Sequence, residues 1–271
     1  DLIKSPANKF FAPVENEKMD QDFKSDFTDE DLNAIFGMPW YKRGTVDKNS
    51  QGQFHHYRAF HYWLPLIGFF TGARINELCQ LYLDDIKQDA VGFYFFEISN
   101  ERADQSLKTI HSRRKIPLHP TLIKLGLVRY CEALKKAGHE RLFPELPYHP
   151  VKGYGDKASD WFNRSLLKER LGFEKGSKKS FHSFRHTFST RLKQAGIDSE
   201  TRAQFVGHIR GSGETENRYS KDHPPEALYA VLESVTLGLP EVAPFVCEDG
   251  VDAVADALRI KQSNKSRKEP Q

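Results

Sequence analysis

The stretch from Gln53 to Thr71 constrains the fold more than any other, because Phe54, Tyr57, Phe60, His61, Leu64 and Ile67 recur there at helical spacing. A helix so rich in apolar and aromatic residues has to be buried, and the rest of the chain must supply the elements that cover it. Pro65 is expected to bend this helix and Gly72 to end it, with a second helix starting near Ala73 and running through Leu81. With 271 residues and 38% hydrophobic content the chain can bury a real core, and it falls at the upper end for one domain.

The covering elements are legible in outline. Thr28 followed by Asp29, Glu30 and Asp31 reads as a capped helix start, with Leu32, Ile35 and Phe36 as its apolar stripe. Phe93–Ile98, Leu107–Ile110 and Lys115–Leu118 read as three short strands of an antiparallel sheet. Helices are expected at Pro120–Lys136, Lys157–Leu171, Ser183–Ala195, Ser199–Val206 and Pro225–Ser234, with a Pro- and Gly-rich loop over Arg141–Gly155. The fold class is therefore mainly α with a small antiparallel β-sheet, an α+β arrangement. Residues 1–26 lack periodicity and read as a linker or extended arm with something attached upstream. Residues 27–240 read as the main folded domain, and 241–271 as a C-terminal tail, disordered from Gln262 onward.

Net charge is +3, but it is distributed unevenly. Residues 101–221 carry 25 Lys and Arg against 13 Asp and Glu, whereas the segments before and after are both net acidic. A basic middle of this kind suits a surface that neutralises phosphates. Cys79, Cys131 and Cys247 are odd in number and widely spaced, which speaks against a disulfide framework or a cysteine-based zinc site and fits a reducing cytoplasm. Neither a signal peptide nor an apolar run long enough to span a bilayer is present in the sequence, so no membrane partner is expected.

Four separated patches carry groups suited to a phosphodiester. In Thr71-Gly72-Ala73-Arg74-Ile75-Asn76-Glu77-Leu78, Arg74 falls in the expected first turn of a helix, where its planar fork could clamp two phosphate oxygens; Glu77, three residues on, could equally be its ion-pair partner. Lys108 precedes a basic hairpin formed by Arg113, Arg114 and Lys115, and from a strand end its ammonium could reach a leaving oxygen. His182 and Arg185 are three apart on one helix and share a face, while Phe184 and Phe188 turn to the core. A metal site built on His182 and His186 would need a third ligand. Last come Gly207-His208 and, after a polar stretch, Arg218-Tyr219-Ser220; the phenol of Tyr219 becomes a nucleophile only where several cations converge on the phosphate it attacks.

The order Arg, Lys, His-x-x-Arg, His, Tyr resembles the signature of the tyrosine recombinases of the phage-integrase type, and the resemblance spans roughly Phe27 to Glu233. It implies a site-specific recombinase, or integrase, that cuts and rejoins DNA through a 3′-phosphotyrosyl intermediate without metal or other cofactor. Residue by residue it implies Tyr219 as nucleophile, Arg74 and Arg185 as phosphate clamps, and Lys108 as general acid to the leaving 5′ oxygen. His182 becomes the proton acceptor or positioning group, and His208 the last phosphate ligand. Arg113, Arg114, Lys115, Lys178, Lys179 and Arg218 are expected to contact DNA. The partners implied are double-stranded attachment or recombination sites and further copies of the chain, forming a tetramer on DNA and a monomer alone, in a cytoplasmic, nucleoid-associated setting. The interval from His208 to Tyr219 is a little longer than usual for the family, which puts an extended or mobile loop at Ile209–Asn217 among the expectations. Rival readings are a type IB topoisomerase-like or hairpin-resolving strand transferase, an inactive DNA-binding homologue, and a metal-dependent nuclease using His182, His186 and His208.

Overall fold

The computed structural model describes residues 25–109, 112–174, 176–208 and 223–266. At its centre lies α3 (Ala59–Thr71), every residue of which is buried. It runs through Pro65 and ends at Gly72, whose left-handed backbone (φ 60°) sends its N–H to Gly68 O at 2.9 Å. A side chain at Gly72 would meet Phe188 at 2.9 Å and Val206 at 3.1 Å, so glycine is what lets three helices close on this corner. The helix begins six residues later than its sequence pattern suggests. Asp256 takes the N–H of Phe54, and Arg58 donates to the carbonyls of Phe54, His55 and Tyr57, so the backbone of 54–57 is already committed elsewhere.

Around α3 pack α1 (Asp29–Phe36), α2 (Pro39–Arg43) and α4 (Ile75–Cys79), then α5 (Pro120–Lys124) and α6 (Leu127–Lys136), with α7 (Gly155–Asp160) against α4. Thr28 caps the start of α1 as expected, and Asp31 returns a bond to the Thr28 N–H, so that the two exchange side-chain and backbone bonds. The helix expected over Pro120–Lys136 is split at Gly126, which has φ +103°. After α7 the chain continues directly into wider turns over Trp161–Arg170, of which the 3.0 Å bond from Leu171 N–H to Leu166 O is typical. Then follow α8 (Ser183–Gln194), α9 (Ser199–Val206) and α10 (Pro225–Ser234).

The sheet corrects the strand assignment. Its order is β1 (Ile86–Gln88), β2 (Tyr94–Ile98), β3 (Arg114–Pro117), all antiparallel. The segment Leu107–Thr109 is not a strand, and β1 was hidden because only Ile86 in it is apolar. Phe96 pairs with Ile116 and Ile98 with Arg114, which places all four on the face turned to the core.

The C-terminal segment is corrected most. Cys247–Ser266 forms a 20-residue helix, α11, rather than a tail. Ala253 and Val254 are fully buried, Asp249 accepts from Thr45 Oγ1 at 2.7 Å, and Lys48 pairs with Asp252 at 2.9 Å. Phe245, just before it, lies among Tyr62, Trp63 and Tyr130 with ring centroids 4.8–5.1 Å apart. No described helix is long and apolar enough to cross a membrane.

Candidate active site at the meeting of three helices and a strand

Arg74 sits one residue before α4, not within its first turn. Glu77 holds it twice: Oε2 accepts from the Arg74 N–H at 3.0 Å and Oε1 from Nη1 at 2.8 Å. The same Nη1 donates to Ser112 Oγ at 3.2 Å. About a quarter of the Arg74 side chain remains exposed. The buried Glu77 carboxyl is kept below the usual range because Arg114 and Arg74 outweigh the cost of its desolvation.

Arg185 projects from the first turn of α8 and is only 3% exposed. Its Nη1 donates to Gly72 O at 3.0 Å, while Nε and Nη2 find no partner among the described residues. A buried donor left without an acceptor costs about 1–3 kcal/mol, and more for a charged group. Desolvation first, then repulsion from Arg74 and Arg114, pulls the guanidinium down to about 9. That is the electrostatic signature of a pocket in which positive charge outweighs the Glu77 carboxylate acting on it.

Two imidazoles share this field. His182 precedes α8, with its ring 5.0 Å from that of His186; desolvation, then His186, Arg185, Arg74 and His208, lowers it to about 4. His208 follows Gly207, whose left-handed turn (φ 68°) ends α9. Desolvation, then Arg185, Arg74 and Arg114, lowers His208 likewise to about 4. Arg74, the pair His182 and Arg185, and His208 come from three separated stretches of the chain and are thus close enough to act on one another, and both histidines are exposed.

The remaining expected residues fare differently. Lys108 is exposed in the stretch between β2 and β3 and is not at a strand end. Tyr219 and Arg218 lie outside the described residues. Arg113 is exposed and bonded to Asn100, and Lys115 is exposed with its ammonium 5.2 Å from the Phe95 ring. Lys178 is exposed, whereas Lys179 is partly buried in an ion pair with Asp31. Arg114 is misplaced by the sequence reading: its side chain is 2% exposed and paired with Glu77 at 2.8 Å, so it cannot reach a DNA backbone. Gln204 went unnoticed. Its buried carboxamide donates to His223 O at 2.8 Å and accepts from His223 N–H at 2.9 Å, fixing the chain four residues beyond Tyr219.

The description "Phage integrase family" matches residues 53–224, which takes in α3, Arg74, His182, Arg185 and His208. The chain belongs to the phage integrase family. Within it, this integrase-family chain is 25% identical over 175 residues to tyrosine recombinase XerA of Pyrococcus furiosus, covering 61% of this chain and 52% of that protein. It is 28% identical over 138 residues to tyrosine recombinase XerD of Corynebacterium glutamicum, covering 51% and 41%. The chain thus spans about half the length of the curated relatives it matches. Among solved structures it overlaps XerH site-specific recombinase bound to difH substrate, with TM-score 0.42, 18% identity, and coverage of 73% of this chain and 50% of that one. It also overlaps the Tn1549 transposon integrase in complex with transposon right end DNA, with TM-score 0.43, 21% identity, and coverage of 79% and 67%. Overlaps this loose add nothing to the assignment.

Proposed function

We propose that this integrase-family chain is a site-specific recombinase that breaks and rejoins DNA strands through a covalent bond between Tyr219 and a 3′ phosphate. The observation that carries the reading is the Arg185 guanidinium, buried with two donors that have no partner among the described residues, inside a field shared by Arg74, His182 and His208. A scissile phosphate is the anion that such a cluster suits: two guanidinium forks can hold its non-bridging oxygens, and the charge that grows on them at a pentacoordinate phosphorus is stabilised where it forms.

In the proposed sequence, the Tyr219 hydroxyl attacks phosphorus and its proton passes to His182. The bond to the 5′ oxygen breaks, and Lys108 supplies the proton that makes it a free 5′-hydroxyl. The energy of the phosphodiester is retained in the phosphotyrosine, and a 5′-hydroxyl from the partner strand reverses the step. His208 completes the set of phosphate ligands. His182 at about 4 is unprotonated at neutral pH, and the charge of a phosphate bound beside it would raise its affinity for the Tyr219 proton. Exposed Arg113, Lys115 and Lys178 are assigned to the DNA backbone outside the scissile phosphate, together with Arg218. The assembly proposed is a tetramer on two paired sites in cytoplasmic, nucleoid DNA, built from protomers that are monomeric when free.

The test is incubation with nicked duplexes taken from DNA flanking the gene that encodes the chain, followed by denaturing electrophoresis. A protein–DNA band that disappears in Tyr219→Phe and persists in EDTA is expected. A band retained by Tyr219→Phe, or wild-type cleavage abolished by EDTA, would overturn the reading.

A further inference from the structure

We propose that Arg114 is a positioning residue for strand cleavage, which fixes the fork of Arg74 and the turn carrying His208 relative to each other from beneath the site. The inference rests on the recombinase reading above and assigns a role to a residue that touches no substrate.

The placement follows from β3. Arg114 is opposite Ile98 in register, two residues before Ile116, and so points to the core, whereas Arg113 and Lys115 on either side are exposed. From there its guanidinium reaches three elements. Nη2 donates to Glu77 Oε2 on α4 at 2.8 Å, Nε donates to Phe205 O in the last turn of α9 at 2.7 Å, and Nη1 donates to Ser112 O on its own segment at 2.6 Å. Both acceptors of the Arg74 Nη1 bonds, Glu77 Oε1 and Ser112 Oγ, belong to residues that Arg114 itself holds. The ring Arg74–Glu77–Arg114–Ser112 is therefore closed by hydrogen bonds, and Arg74 cannot turn its fork without breaking it.

The other side of Arg114 bears on His208. Phe205, whose carbonyl it holds, is three residues before His208, and Gly207 lies directly against the guanidinium: a Cβ there would come within 2.8 Å of Nη1. The two parts of the site that come from α4 and from the end of α9 thus meet on one planar group. Lysine could not do the same, because its single ammonium cannot point donors along three divergent directions in one plane. Stability alone does not explain the choice either. A buried ion pair is often no better than well-packed apolar residues, so the three-way geometry is the part an apolar replacement would lose.

The experiment uses the full chain and the same nicked duplexes, comparing wild type with Arg114→Lys and Arg114→Met. Folding is followed by circular dichroism, duplex binding by fluorescence anisotropy and adduct formation in single turnover. Positioning predicts folded Arg114→Lys protein with duplex affinity within about 3-fold of wild type and adduct formation slower by about 30-fold or more, a split between binding and chemistry that a purely structural role would not give. Cleavage within about 3-fold of wild type in either folded variant, or failure of both variants to fold, would overturn it. A wild-type chain that forms no adduct would instead end the recombinase reading. Arg114 would then be judged by inorganic sulfate: the sulfate-induced rise in Tm must be smaller in Arg114→Lys than in wild type, and an equal rise would overturn the positioning role.

Discussion

Arg114 and Arg185 are both almost inaccessible, at 6% and 3%, and both lie within the same charged cluster, yet their surroundings are opposite. Every nitrogen of Arg114 has an acceptor, one of them a carboxylate. Among the described residues, Arg185 has a carbonyl for Nη1, no acceptor for Nε or Nη2, and two other arginines pushing against it. The contrast separates two uses of one side chain. A buried guanidinium with a full set of partners holds elements together, while one left short of partners is held ready for an anion that arrives from outside, at a standing cost to the fold.

The largest effect that would sharpen this contrast is expected from Glu77→Leu. Removing the carboxylate strands Arg114 without its counter-charge, and urea denaturation should show a loss of about 3–5 kcal/mol. Arg185→Met should do the reverse to stability, leaving the midpoint unchanged or higher, while slowing adduct formation by about 10²–10³-fold. A clear drop in the midpoint of Arg185→Met would break the comparison, because it would mean that Arg185 also serves the fold. Sulfate at about 100 times its Kd should stabilise the wild type by about 2.7 kcal/mol and Arg185→Met hardly at all, as read by urea midpoints with and without the anion.

The pH dependence follows from the imidazoles. Unfolded, they titrate near 6.5, and in the fold His182 and His208 titrate near 4, so the unfolded chain binds more protons between those values. Stability is therefore fully present above about 6.5 and falls as pH drops toward 4. An anion in the cluster favours the protonated rings, so sulfate stabilisation should grow over the same interval; stabilisation that shrinks on acidification would contradict it. The smallest effect expected is for Arg113→Ala, which should lower the salt slope of duplex binding by about one and leave single-turnover cleavage unchanged.

The legible parts of the molecule were those in which local pattern and tertiary environment agree. The capped start at Thr28 and Asp31 and the inward Phe184 and Phe188 depend on neighbours within one turn, whereas His182, expected on the same helix as Arg185, lies just before it. Misreadings came where a distant partner decided. Residues 54–58 keep helical periodicity but give their backbone groups to Asp256 and Arg58. The helix Cys247–Ser266 carries only a thin apolar stripe, and part of its anchorage comes from Asp249, Asp252 and Asp256 meeting residues some 200 positions earlier. Arg114 was grouped with Arg113 and Lys115 by composition, although alternation with Ile116 already marked it as facing inward. Gln204 gave no signal, since a lone glutamine on a helix declares its partner only in three dimensions.

The two bonds between Gln204 and His223 have a kinetic meaning. They tie down the chain just past Tyr219, and the other end of the same stretch leaves α9 at His208. The residues on either side of the interval that contains the tyrosine, His208 and His223, are thus both held by one short helix. Joining reactants through a short tether sets their encounter at an effective concentration on the order of millimolar, independent of how much protein is in solution. A phenol delivered from another protomer would have to match that local supply. Under the proposed recombinase reading, the clamp therefore favours attack by the tyrosine on a phosphate held by the arginines of its own chain.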